Sequence, residues 1–423
     1  MKKWLLRIGL GFISILVLLY GFVMLRSSIP ATVNDRDLQL QRASIPAGSN
    51  AFDVLQTAKS HLWWPDDQSR QLSDLVDDTN WNASLADKVL TNNREALTGW
   101  YAAAKLPNFQ APEISGASDL LPYLADWKKM AQLAEVRGNV LLHCGQDKEA
   151  FDRIMEHVQL GQQMQNAHGP LIDYLVGVVI CNMGLNQMER WVGRTHLTPD
   201  QLKDYIHQLG LNPDARAAAF ANTIKAEYRF QVGSLEALRQ GQINNGDLGG
   251  NCPRPRWWFP VFNISQTKAL FAGEDLILVK AAPQHFNEAK LTDFGSHRPG
   301  PVSLILSGNL TGEVLYYTTM PAVIPALSKK SQSDVQLQST RVILALRAYQ
   351  LTHGNLPSDL NALVPEFLDA VPVDDFDGQP LRYSAEKKIV YSVGKNLKDD
   401  GGDDKSNAGP GENHLDLACP FDF

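Results

Sequence analysis

Apolar and polar positions along this chain follow three rhythms, and each predicts a different kind of element. Near the start, the eighteen residues between Arg7 and Arg26, IGLGFISILVLLYGFVML, carry no charge. A helix rises 1.5 Å per residue and needs about 20 apolar residues to cross a bilayer, so this run, with Trp4 at one interface, predicts a transmembrane helix. A cleaved secretory signal has a shorter apolar region, about 7–15 residues, ending in a small-x-small site, and Arg26-Ser-Ser-Ile-Pro is a poor one. The pattern therefore predicts an uncleaved anchor over residues 1–26. Lys2, Lys3 and Arg7 precede the span, which leaves the amino terminus cytoplasmic and places the bulk of the chain on the periplasmic or extracellular side of a cell membrane.

After a polar linker over 27–48, a helical period governs residues 49–330. Asn50 to Trp64 and Ser84 to Leu106 read as helices. Ser118 to Gly169 reads as two helices broken near Gly145, because apolar residues recur at spacings of three and four on both sides. Thr198-Pro-Asp-Gln201 has the hydroxyl, proline and glutamine of a capped helix start, with Gly210 as a stop, and Asn212-Pro213-Asp214 opens another helix running to about Gln240. Tyr174–Met188 and Val314–Ser328 are apolar but short for a span; the first carries Asn182, Asn186 and Gln187, and the second is broken by Pro321 and Pro325. Both read as buried elements. The hairpin at Gly145 resembles the helix-turn-helix units of tetratricopeptide-type arrays, but no regular 34-residue period recurs, so an irregular α-helical bundle or solenoid is expected.

The third rhythm begins at 331. Ser333-Asp-Val-Gln336 reads as a capping box opening a helix that Gly354 closes, and Ser358 caps a short helix through Val364. DFDGQP is turn chemistry, and LRYSA and KIVYSV alternate as two strands of a hairpin. The expected fold class is mainly α: an N-terminal transmembrane helix, a helical body and a small C-terminal α+β module over 331–423.

This last segment resembles a known family. LRAYQLTHGNLPSDLNALVPEFLDAVPVDDFDGQPLRYS, then IVYSVGKNLKDDGG and later HLDL, is similar to the globular part of the major pseudopilin of type II secretion, over about ninety residues. The matching points are Tyr-x-x-x-x-Gly-x-x-Pro, Leu-Val-Pro, an aromatic-Gly-x-Pro turn, a hairpin ending in Ser-x-Gly and an acidic glycine-rich loop. The resemblance implies a pseudopilin-like α+β module and a calcium ion in that loop, held by Asp399, Asp400, Asp403, Asp404 and Asp416. Calcium takes six to eight oxygen ligands, which carboxylates on a loop can supply. Three features depart from the family. Gly11-Phe12 is followed by Ile13, Ser14, Ile15 and Leu16 without the glutamate that pilin-like proteins carry, and Asn396-Leu397 stand where the family has Asp-Gly. Some 300 residues also separate the apolar start from the module, so a borrowed module is expected and a fibre subunit is not.

Composition narrows the function. Among 423 residues, 44% are hydrophobic and 20% charged, enough apolar matter for a core and for two or three domains. Lys+Arg 39 against Asp+Glu 46 give a net charge of −7, which argues against a nucleic-acid partner. Cys144, Cys181, Cys252 and Cys419 show no zinc spacing and leave disulfide pairing open. No GxxxxGK[ST], HExxH or GxSxG occurs. His143 beside Cys144 points about 100° away from it on a helix, and Glu156-His157 has no second ligand at helical spacing. Trp63-Trp64 and Trp257-Trp258, the latter behind Arg254-Pro255-Arg256, read chiefly as packing residues and secondarily as stacking surfaces. No catalytic residue is assigned. Two functions are left: a non-catalytic, membrane-anchored scaffold or interaction protein of an envelope or secretion-type assembly, and an extracytoplasmic hydrolase working in a groove of the helical body. A cleft where His143, His157 or His207 meets a carboxylate would favour the hydrolase.

Overall fold

Helix formers punctuated by Asn, Pro and Gly set the architecture. The computed structural model describes residues 2–114, 116–117, 121, 123–242, 262–291, 299–403 and 416–423, with the backbone alone for 2–11 and 66. Helix α1 covers Lys2–Ser28. The body follows with α2 (Ala51–Ala58), α3 (Ser69–Val76), α4 (Ala83–Asn92), α5 (Arg94–Ala104), α6 (Leu124–His143), α7 (Asp147–Gln165) and α8 (Leu171–Val192). Next come α9 (Pro199–Gln208), α10 (Pro213–Arg239), α11 (Ile264–Ala281), α12 (Pro301–Leu306), α13 (Leu310–Val323) and α14 (Ala326–His353). Strands β1 (Arg382–Ser384), β2 (Ile389–Ser392) and β3 (Leu417–Pro420) form an antiparallel sheet in that order, with Tyr383 opposite Val390 and Val390 opposite Cys419. The protein is thus mainly helical with a small sheet near its C-terminal end.

Local chemistry explains most boundaries. Thr198 and Gln201 close a reciprocal capping box on α9, and the Asn212 side chain accepts from Ala215 N at 3.1 Å to start α10. Gly145, at φ +70°, turns α6 into α7. Other boundaries differ from expectation. The helix expected over Ser84–Leu106 is two helices, because Asn93 is fully buried and turned inward. Its amide nitrogen donates to Trp63 O and Val89 O, both at 2.9 Å, and its oxygen accepts from Trp63 N at 2.7 Å. The helix expected over Asn50–Trp64 gives way at Lys59–His61 to a 3₁₀ turn. Ser333 opens no helix. It lies inside α14, buried, where its hydroxyl accepts from Arg216 Nη2 at 3.1 Å, and α14 starts just after Pro325 because no breaker separates Ala326 from Ser333. Pro321 sits within the last turn of α13 and does not divide it. The strand β3 went unread, since its four residues, LACP, show no alternation and end in proline, which an edge position tolerates.

One hydrophobic core runs from the body into the sheet. Phe151, Trp191 and Ile206 share it with Leu337, Ile343 and Leu346 of α14 and with Phe376, Val390 and Phe421. Helix α14 therefore packs on α8 and α9 on one side and on β2 and β3 on the other. A buried ion cluster reinforces the joint: Arg216 pairs with Asp334, and Lys330 Nζ lies 3.2 Å from Asp334 and 3.1 Å from Asp375. The α7–α8 crossing is close enough to need glycine, since a Cβ on Gly177 would stand 2.7 Å from Gln165 N.

Among the described helices, α8 is long and apolar enough to cross a membrane, but 61% of its apolar window is buried by the rest of the protein, as befits a core helix. Phe12–Ser28 makes a shorter apolar helix.

Two acidic groups in this core give stability a pH dependence. Burial pushes the Glu135 carboxyl up to about 8, and burial at the α8–α14 joint pushes Glu189 up to about 7 although Thr340 and Gln336 donate to it. Each folded value lies above the ordinary 4.5, so between that value and about 8 the folded chain holds protons that the unfolded chain releases. Stability from these groups is greatest below about pH 4.5 and declines as pH rises toward 8. The urea midpoint is expected to be higher at pH 5.5 than at pH 8, and Glu135→Gln with Glu189→Gln to flatten that difference.

Candidate functional site

A groove of about 830 Å³ lies among α4, α5, α6 and α7. Its walls carry Arg94, Lys105, Arg137, His143 and Arg153 against a single acidic lining residue, Asp87, with Trp81 and Tyr101 supplying aromatic faces. The basic character is local in a chain whose net charge is −7. Rim carboxylates temper it: Arg153 pairs with Glu156 at 2.9 Å, Lys105 with Glu156 at 3.4 Å and Arg137 with Glu149 at 3.7 Å. The Arg153 guanidinium also stacks over the Tyr101 ring, 4.9 Å from its centre. Burial pushes the Tyr101 phenol up, and its hydroxyl has no hydrogen-bond partner among the described residues. Arg94 occupies the first position of α5, where the helix dipole disfavours a cation.

At one end of the groove a carboxylate organises the wall. Helix α3 ends in a turn in which Thr79 N donates to Asp74 O at 2.8 Å and Asp78 adopts the left-handed conformation, φ +56°. Asn139 on α6 fastens that end: its amide nitrogen donates to Leu75 O at 2.8 Å and Val76 O at 3.1 Å. The Asn139 oxygen in turn accepts from Gln187 Nε2 and Trp191 Nε1 of α8, both at 3.0 Å. The Asp78 carboxylate, 5% exposed, therefore stands in a fixed place and receives two partners. His143 Nε2 is 2.7 Å from Oδ1, and Arg194 Nη1 donates to Oδ2 at 2.8 Å. Trp81 stacks on the His143 ring at 4.3 Å. Cys144 is an exposed free thiol lining the same groove. A base held by a carboxylate beside an anion-attracting wall can bind acidic groups, and it has the partner that acid–base chemistry requires.

The other histidines behave differently. His157 is buried in the core, where Nε2 lies 2.8 Å from Ile180 O and burial pulls its pKa down to about 4. His207 is exposed near the end of α9. Trp63 and Trp64 are half-buried against the core, with Lys88 and Lys129 over their rings. Cys181 and Cys419 are buried free thiols. Cys252, Arg254, Arg256, Trp257 and Trp258 lie outside the described residues. Sequence reasoning had His143 but missed Asp78, Trp81 and Arg194. Asp77-Asp78-Thr-Asn carries a helix-end signal, yet nothing in it names a partner 65 positions away.

The acidic loop uses its carboxylates internally. Asp416 accepts from Asp400 N at 3.1 Å and also from Gly402 N, Asp399 accepts from Gly401 N at 2.9 Å, and Asp400 accepts from Asn396 Nδ2 at 2.8 Å. Asp403 is at the edge of the described chain and Asp404 lies outside it. Among the described residues no group of three His, Cys, Asp or Glu side chains gathers as a metal site would.

Comparison with protein-family models, curated proteins and solved structures finds no match to this chain.

The left-handed backbone at Asp78 can be tested apart from its charge. Asp78→Ala keeps the strain and loses both partners, and is expected to lower unfolding free energy by about 2 kcal/mol, whereas Asp78→Gly relieves the strain and recovers about 1 kcal/mol of it. Urea unfolding of the three proteins measures both.

Proposed function

We propose that the protein is a membrane-anchored, non-catalytic scaffold or interaction protein. In this reading α1 spans a cell membrane with its amino terminus in the cytoplasm, and the extracytoplasmic body offers its basic, aromatic groove to a carboxylate-bearing partner in an envelope or secretion-type assembly. The observation that carries the reading is α1 itself. Its uncharged run between Arg7 and Arg26 is eighteen residues, about 27 Å of helix, close to the roughly 30 Å of bilayer hydrocarbon. Along it Phe12, Val17, Leu18 and Leu25 are each more than 60% exposed, whereas α8 buries its apolar face within the body. The order of elements at the other end supports a pseudopilin-like module: α14 closing at Gly354 in the left-handed region, a turn at Asp374–Gly378, then the β1–β2 hairpin.

The hydrolase is a second reading, favoured by the 2.7 Å approach of His143 to Asp78 in the groove that Cys144 lines. It would gain the assignment if ester or peptide probes were turned over by the full chain and lost to both His143→Ala and Cys144→Ser.

Membrane fractionation and crosslinking test the first reading with the intact chain, since removing residues 333–423 would strip the shared core. The chain is expected to resist alkaline carbonate extraction, and Arg137→Glu with Arg153→Glu is expected to reduce recovery of crosslinked partners at least fivefold. Release by carbonate would remove the anchor, and undiminished recovery would remove the groove. For the calcium that the resemblance implies, a melt in calcium against chelator is expected to show a higher midpoint in calcium, and coincident curves would retire the ion.

A further inference from the structure

We propose that α12 is a second membrane contact, a short helix lying in the lipid interface beside the outer end of α1; this rests on the reading of α1 as an anchor. The end of α1 is tied to the body by side-chain hydrogen bonds. Asn263 Nδ2 donates to Ser27 O at 2.8 Å and Ile29 O at 3.0 Å, and Gln266 Nε2 donates to Arg26 O at 3.0 Å and Ile29 O at 2.8 Å. Gly308, at φ +78°, lets the α12–α13 turn sit on the same end: a Cβ there would stand 2.6 Å from Ser27 N. The orientation of the body toward the bilayer is thus set where the span leaves the hydrocarbon.

Helix α12 packs against α1 at this level. Its sequence, PVSLIL, has no charge, and Val302 and Ile305, three positions apart on one face, are 70% and 44% exposed. Elsewhere among the described residues of the body, Leu351, Val373 and Leu397 are exposed singly, and Ile172 and Val179 share one face of α8 at 45% and 47% exposure, both less than Val302. Here the two share one face of a helix that packs against α1, near whose outer end Leu25 and Ile29 are themselves 62% and 50% exposed. An apolar helical face at the edge of a bilayer sinks about 5–10 Å into the headgroup and acyl boundary. The occupant of this face is therefore lipid. The contact would hold the body at a fixed tilt and set the groove at a fixed height above the membrane.

The test uses full-length protein in phosphatidylethanolamine–phosphatidylglycerol vesicles, without other proteins. Val302→Cys and Ile305→Cys, each with Cys144→Ser and Cys252→Ser, are labelled with an environment-sensitive fluorophore, and Cys252→Ser labelled at Cys144 is the reference. Lipids carrying a shallow quencher are expected to quench positions 302 and 305 at least twofold more than position 144. Equal quenching in a chain that resists carbonate extraction overturns the inference and leaves the anchor standing, whereas extraction of the chain overturns the anchor itself. Shielding that grows with protein-to-lipid ratio would assign the face to a second copy and also overturn the proposal.

Discussion

Helix α14 must be covered on two sides at once, and the rest of the architecture answers that demand. Leu337, Val342, Ile343, Leu344 and Leu346 are all essentially inaccessible to water, although they point in different directions around one helix. Helices α8 and α9 cover one side and the small sheet covers the other. Charges within this joint are tolerated because they meet each other. Lys330 and Arg216 neutralise Asp334 and Asp375, which would otherwise be carboxylates stranded at low dielectric. The sheet is consequently part of the body's core. Its hairpin gains independent shape from Asp374, whose carboxylate accepts from Phe376 N, Val393 N and Ser392 Oγ.

The same frame positions the groove. Helix α8 packs on α14 and also reaches α6 through Gln187 and Trp191, which hold the Asn139 amide that fastens the end of α3. Asp78, and through it the half-exposed His143 and Arg194, are therefore linked to the C-terminal core by a series of contacts through Asn139, Gln187 and Trp191. A groove built this way is preorganised, with little side-chain freedom left to lose on binding at the end where His143 lies between Asp78 and Trp81. At the opposite end of the chain, the clamp of Asn263 and Gln266 on α1 gives the body a defined relation to whatever holds that helix.

Legibility followed the range of the interactions. The turn at Gly145, the Thr198–Gln201 box, the Asn212 cap and the β1–β2 hairpin were readable because each is decided by residues within a few positions of one another. Ser333 misled for the same reason: its local signal is a cap, but an arginine 117 positions earlier takes its hydroxyl into the core. Asn93 divides a stretch of good helix formers because its side chain finds Trp63, thirty positions away. Only folding brings those partners together.

By itself, then, the order of residues determined the helical character, the uncharged run near the start, the excess of acid over base and the hairpin near the end. These depend on periodicity, composition and neighbouring side chains. Tertiary structure alone decided that β3 completes the sheet, that His157 is core while His143 faces a carboxylate, and that Arg94, Arg137 and Arg153 of α5, α6 and α7 line one groove with Lys105 and His143. Those outcomes depend on the crossing of helices distant in sequence, where burial and hydrogen-bond satisfaction overrule local preference.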